Sequence, residues 1–261
     1  MQKIVRGYVN TPDGQIHYHT GGAGFPLVLL HQNPSSARMW EAVLPLFAER
    51  GHQVWAFDTP GYGESDLPPI KPDIPYYARR IVEACDLLGI GQFDVIGHHT
   101  GALVGGTIAA DFPGRVRTYV PIGYPLLREE MKAGLANAQP GTFSTEGVEL
   151  DGYMKGIRHL GGRWLTSHVA RRCLIEKLQA GDTWNWAYHA VAAYDDVALA
   201  KKLAVPTLIV AGRGDPISPD SERAVEVIPG AELVIIEDAG VNVPDDAPEE
   251  FVRVIHDFLS R

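Results

Sequence analysis

Short apolar runs alternate with amphipathic stretches of helical period along most of the chain, and this rhythm limits the fold more than any other feature. FPLVLLH (25–31), HQVWAFD (52–58), FDVIGH (93–98), RVRTYVPIG (115–123), PTLIVAG (206–212) and AELVIIED (231–238) are apolar runs of strand length. Between them lie SARMWEAVLPLFAER (36–50), YYARRIVEACDLLG (76–89), ALVGGTIAADFP (102–113), SERAVEVI (221–228) and PEEFVRVIHDFLS (248–260), each expected to be a helix. Strands buried on both faces and separated by helices predict βαβ units in a mainly parallel central sheet flanked by helices, an α/β fold. KIVRGYV and QIHYHT, on either side of the turn NTPDG, predict a hairpin ahead of that series.

The rhythm breaks once, over about residues 126–198, where the sequence turns helical and rich in aromatic and basic side chains and contains GDTWNWAYHAVAAY. The expected organisation is a core of residues 1–126 and 199–261 with a helical cap inserted at 127–198. A chain of 261 residues is long enough for one large domain of this kind. The net charge of −9 argues against a nucleic-acid partner, because a phosphate backbone needs basic patches. The start MQKIVRGYVN has no apolar leader core, and no run of roughly 18 apolar residues occurs, so a cytoplasmic chain without membrane contact is expected. Cys85 and Cys173 lack metal-ligand spacing and are expected to be reduced and buried.

The stretch FDVIGHHTGALVGG (93–106) carries the chemistry. A strand followed by G-x-X-x-G and a helix places the central side chain on a strained turn, alone above the sheet. Small residues are needed around it where strand and helix backbones approach closely, and Gly97, Gly101, Gly105 and Gly106 meet that need. The central residue here is His99.

Five motifs in order resemble those of the α/β-hydrolase fold superfamily, over nearly the whole chain. GHHTG (97–101) is similar to its nucleophile elbow, and LLHQNP (29–34) to its H-G-x-P oxyanion loop. AFDTPGYGES (56–65) is similar to its D-x-P-G-x-G-x-S turn, which Asp58 is expected to brace. AGRGDPISP (211–219) resembles the segment of the catalytic acid, which falls on Asp215, and EDAGVNVPDDAPEEF (237–251) the segment of the catalytic histidine. The departures fall on the chemistry: His99 stands at the serine position, Val241 at the histidine position, and Gln32 at the glycine of the oxyanion loop.

The resemblance therefore implies the fold, and not a serine-esterase mechanism. With the histidine gone from position 241, an imidazole on the elbow can reach Asp215 directly. A His99–Asp215 dyad is expected, with the carboxylate fixing the tautomer and supporting the imidazolium. The backbone amides of Asn33 and Thr100 stand where the family holds an oxyanion. Trp184, Trp186, His31 and Tyr124 are the candidate substrate-binding residues, although core packing for the cap aromatics and an architectural role for His31 are the plainer readings. His98 is expected to point away from the pocket, since neighbours on a strand face opposite ways, and no metal site is expected.

The expected activity is cofactor-free and directed at a small, partly apolar carbonyl compound. His99 as general base leads either to hydrolysis of an ester, lactone or C–C bond, or to a lyase, isomerase or decarboxylase reaction. Direct attack by His99, giving an acyl-imidazole, is the rival inside the enzyme class. An inactive binding protein or receptor that kept the pocket is the rival outside it. The expected partner is the small-molecule substrate, with a homodimer left open.

Overall fold

The computed structural model describes residues 3–139, 144–147 and 149–261. Residues 140–143 and 148 of the expected cap lie outside the described residues. Strands β1 (Val5–Thr11) and β2 (Gly14–Gly21) form the predicted hairpin, and β2 pairs antiparallel with β4 (His52–Phe57). Every later pairing is parallel, through β3 (Phe25–Leu30), β5 (Phe93–His98), β6 (Val116–Ile122), β7 (Leu208–Gly212) and β8 (Glu232–Ile236). The sheet runs in the order β1-β2-β4-β3-β5-β6-β7-β8. β3 lies between β4 and β5, so the chain leaves it first toward one edge and then toward the other. Loops diverging from such a switch point leave a crevice at the carboxyl ends of the strands.

Helices cover both faces. On one lie α2 (Ile74–Leu87) and α3 (Thr100–Asp111), over a core that includes Tyr77, Ile81, Phe93, Val95 and Leu103. On the other, α1 (Leu44–Glu49) and the last helix of the chain bury Leu29, Phe47, Val54 and Phe251. The stretch 36–50 is not the single helix its pattern predicts. It divides into a 3-10 turn at Ala37–Trp40 and α1, which begins beside Pro45. Proline cannot donate to the preceding turn and its ring clashes there, so it starts a helix readily and does not continue one.

Between β6 and β7 the chain is helical: α4 (Glu129–Ala136), α5 (Glu149–Gly161), α6 (Ser167–Ala180), α7 (Trp186–Ala192) and α8 (Asp196–Lys202). α8 runs across the expected boundary at 198 and packs on α3 and on α9 (Ser218–Val227). α10 (Val243–Asp246) and α11 (Pro248–Leu259) close the chain; α11 turns Phe251, Val252, Ile255, Phe258 and Leu259 inward with helical spacing. No helix among the described residues is long and apolar enough to cross a membrane.

Candidate active site

β5 ends at His98, and the next residue takes φ 47° and ψ −106° before α3 begins. His99 is the single non-glycine residue with positive φ among the described residues, at a cost of about 1–3 kcal/mol that the surrounding structure must hold in place. The neighbouring glycines make that turn feasible. A Cβ on Gly97 would strike the Gly101 backbone, and one on Gly101 would strike the Leu30 carbonyl. The His99 N–H donates to Ile122 O at 2.9 Å, which fixes the turn to β6.

The expected partner is in reach. His99 Nε2 lies 2.7 Å from Asp215 Oδ2, and the Asp215 side chain is fully buried while that of His99 remains 22% exposed. Asp215 follows β7 in a tight turn, and its Oδ1 accepts the Ile217 N–H at 3.0 Å. With both oxygens engaged as acceptors, the carboxylate selects the Nε2–H tautomer of His99. The lone pair then sits on Nδ1, which no group engages among the described residues. In a serine triad the aspartate holds Nδ1–H instead, so the ring is used here in the opposite sense. Gly123 forms the floor beneath the pair: a Cβ there would come within 2.6 Å of His99 Nε2 and 2.8 Å of Asp215 Oδ2.

Thr100 opens α3 and Asn33 lies in the loop after β3, and both line the cavity above His99. Neither backbone N–H has an acceptor among the described residues. Behind that loop, His31 Nε2 accepts the Thr59 N–H at 2.9 Å, while Nδ1 donates to Gln32 O at 2.7 Å. The loops after β3 and β4 are thereby tied together, and burial holds the His31 pKa below the ordinary histidine value. Asp58 braces the same region by accepting the Ala37 and Glu64 N–H groups and bonding His17.

The cavity measures about 380 Å³. Its apolar wall comes from Pro125 and Leu127 after β6, Met131 and Leu135 of α4, Leu160 of α5, Tyr188 and Val191 of α7, and Ile217. Val241 lines it as well. None of the four candidate substrate-binding residues is among its walls. His31 is fully buried in loop packing, and Tyr124 is fully buried in the core with its hydroxyl donating to Asp196 O at 3.0 Å. Trp186 lies two positions before Tyr188, about 200° away around a helix of 3.6 residues per turn, so it takes another face of α7. Trp184 precedes α7 and packs against the core, its carbonyl accepting the Tyr62 hydroxyl at 3.1 Å. The aromatic that does reach the cavity, Tyr188, lies inside the same WNWAYH stretch.

His98 keeps out of the cavity as expected, but it does not face opposite to His99. It is fully buried and lines no part of the cavity, but its ring stacks on that of His99, centroids 4.4 Å apart and planes 9° from parallel. Strand alternation does not carry across the positive-φ turn, so the rings do not diverge. His98, His99 and Asp215 thus offer ligand atoms within 4.8 Å of one another. Asp215 Oδ2 is already engaged by His99. A ring stack and a hydrogen bond describe the group better than a chelate. Burial, and then the His99 ring, push the His98 pKa well below the ordinary value.

One feature had no signal in the sequence. Glu176 of α6 is buried and accepts from Ser35 Oγ at 2.8 Å and Ser36 Oγ at 2.5 Å, clamping α6 to the loop that carries Asn33. Arg172, one turn earlier, makes two bonds to Asp245 at 2.8 and 2.7 Å. Burial raises the Glu176 pKa to about 7. The two serines lie 141 and 140 residues away along the chain, beyond any local pattern.

The sequence matches the family model described as alpha/beta hydrolase fold over residues 26–144. It is 26% identical over 276 residues to the 2-hydroxy-6-oxo-6-(2'-aminophenyl)hexa-2,4-dienoic acid hydrolase of Metapseudomonas resinovorans, covering 98% of this chain and 91% of that protein. Among solved structures, an esterase from Exiguobacterium antarcticum superposes with a TM-score of 0.83 at 20% identity, covering 97% of this chain and 99% of that one. The enol-lactonase from Burkholderia xenovorans gives 0.79 at 21% identity, with 98% and 100% covered.

Proposed function

We propose that, on this α/β-hydrolase fold, the chain is a cofactor-free enzyme that hydrolyses a small, partly apolar carbonyl compound with His99 as general base. The observation that carries this reading is the 2.7 Å contact between His99 Nε2 and Asp215 Oδ2 beneath an apolar cavity. His99 Nδ1 takes a proton from water as the water attacks the carbonyl carbon. Asp215 stabilises the imidazolium so formed. The N–H groups of Asn33 and Thr100 receive the developing oxyanion, a contribution of a few kcal/mol where such donors are pre-aligned. Collapse of the tetrahedral adduct expels an alcohol, an enol or a carbon leaving group, to which the imidazolium returns the proton.

Hydrolysis is favoured over a lyase or isomerase outcome by the relatives, whose names are those of a dienoic acid hydrolase, an esterase and an enol-lactonase. The helical insertion expected at 127–198 serves as the cap, with Met131, Leu135, Leu160, Tyr188 and Val191 keeping the reacting carbonyl away from bulk water. No serine or cysteine lines the main cavity among the described residues, which leaves a seryl or cysteinyl acyl-enzyme without a nucleophile there.

The test is turnover of a panel of aryl esters, lactones and 1,3-diketones, together with a fluorophosphonate probe. At least one compound is hydrolysed, His99→Ala lowers its kcat by roughly 10²–10⁴-fold, and the probe leaves the protein unlabelled. Stoichiometric labelling of a serine, or full turnover by His99→Ala, contradicts the proposal. Products of elimination or isomerisation in place of hydrolysis assign the same base to the other reaction class.

A further inference from the structure

A side chamber of about 140 Å³ adjoins the main cavity, and Gln32, Asn33, Leu160, Tyr188 and Val241 line both. The shared lining sets the two spaces side by side. Lys177 of α6 is the one charged side chain lining the chamber among the described residues. We propose that this chamber binds a carboxylate on the substrate, with Lys177 as its counter-ion, so that the compound hydrolysed is an amphipathic monoanion such as an oxo acid or half-ester. The reacting carbonyl then lies over His99 and the carboxylate beside Lys177. The proposal rests on the reading of His99 as the working base.

Lys177 is held and yet unpaired. Its ammonium lies 3.7 Å from the ring centroid of Trp184 and 4.5 Å from that of Tyr153. Two rings at that range orient a cation and offset part of its desolvation. No ion pair or hydrogen bond reaches the ammonium among the described residues. Other shielded cations of this protein have carboxylate partners: Lys132 with Asp196 at 2.9 Å, Arg172 with Asp245 at 2.7 Å, Arg80 with Asp13 at 3.1 Å.

In a chain of net charge −9 carboxylates are not scarce, so a half-buried lysine without one is a vacancy in an otherwise satisfied set. Burial alone pushes its pKa below the ordinary lysine value, as expected for a cation with no anion beside it. A bound carboxylate supplies that anion through charge-assisted hydrogen bonds. Asn33 adds a second donor: its Nδ2 is buried in the chamber wall without an acceptor among the described residues. The surrounding negative field makes a local cation the condition for holding an anion at all.

Binding and turnover separate this proposal from the one beneath it. A series of ω-benzoyl alkanoates of increasing chain length, each paired with its primary amide, is titrated calorimetrically into the intact protein. At least one carboxylate binds about tenfold or more tighter than its amide. Lys177→Met and Lys177→Gln both erase that preference with melting temperatures close to wild type, and Lys177→Arg retains most of it. His99→Ala keeps the preference while losing hydrolysis of the ester panel. Absence of an anion preference in every pair, including absence of binding, overturns the subsite. So does a preference that survives in both Lys177→Met and Lys177→Gln. Hydrolysis without the preference leaves His99 as base and removes Lys177 from recognition; the preference without hydrolysis does the reverse.

Discussion

His99 occupies backbone space that suits few side chains, and the pair it makes with Asp215 fits only because position 123 has no Cβ. Gly123→Ala puts a methyl group within 2.6 Å of His99 Nε2, at a residue whose φ is +57°. The variant is expected to lose about 1–3 kcal/mol of stability and to fall in turnover nearly as far as His99→Ala. Unfolding titrations and kcat together check it; full activity in a destabilised Gly123→Ala would mean the floor is not tight. Glu176 gives a second expectation. Its folded-state pKa of about 7 is above the ordinary carboxylate value, so the folded chain holds this proton more strongly than the unfolded one. That contribution to stability is complete below the unfolded pKa and is lost as pH rises through about 7. Wild type should therefore lose melting temperature relative to Glu176→Gln between about pH 5 and 8. Parallel melting curves for the two proteins across that range would remove the buried, near-neutral carboxyl from the structure's energetics.

At the scale of elements, the parts that carry the dyad were the most legible. β5, the glycine-flanked turn and α3 are adjacent in sequence, and each obeys a local rule, so their order and the exposure of residue 99 follow from pattern. The Asp215 turn after β7 was readable for the same reason. The helix expected over 36–50 failed at Pro45, where a local rule was present but the longer apolar period outweighed it. The inserted helices were readable as helices and not as walls. Which face of α7 meets the cavity depends on how α4 and α6 pack, and no local pattern encodes that. Hence Trp184 and Trp186 of the WNWAYH cluster are the expected lining, while Tyr188 does the lining. Tyr188→Ala should weaken ligand binding by about 1–3 kcal/mol, the scale of a buried side chain lost from a pocket, with Trp186→Ala affecting stability more than affinity. Titration of both variants with one ligand decides between them; equal losses of affinity would return Trp186 to the site.

At the scale of the whole molecule, the site is assembled from loops at the carboxyl ends of β3, β5, β6 and β7, as the switch in strand order around β3 requires. The sheet brings Asn33, His99 and Asp215 together from positions 66 and 116 residues apart, a convergence that the resemblance to a known fold predicted and that periodicity alone could not. The bonds from Glu176 and Arg172 then tie α6 to the loop that carries Asn33 and to α10, so the inserted helices and the loop beside His99 share one support. The central claim is that His99 and Asp215 act as a unit. Its most direct test is a double-mutant cycle in kcat, using the compound hydrolysed fastest by wild type, with His99→Ala, Asp215→Asn and the double variant. A working dyad predicts losses of roughly 10²–10⁴-fold for each single variant and a double variant little worse than the poorer single one. Losses that multiply fully, with each single variant retaining its own share of the rate, would contradict it.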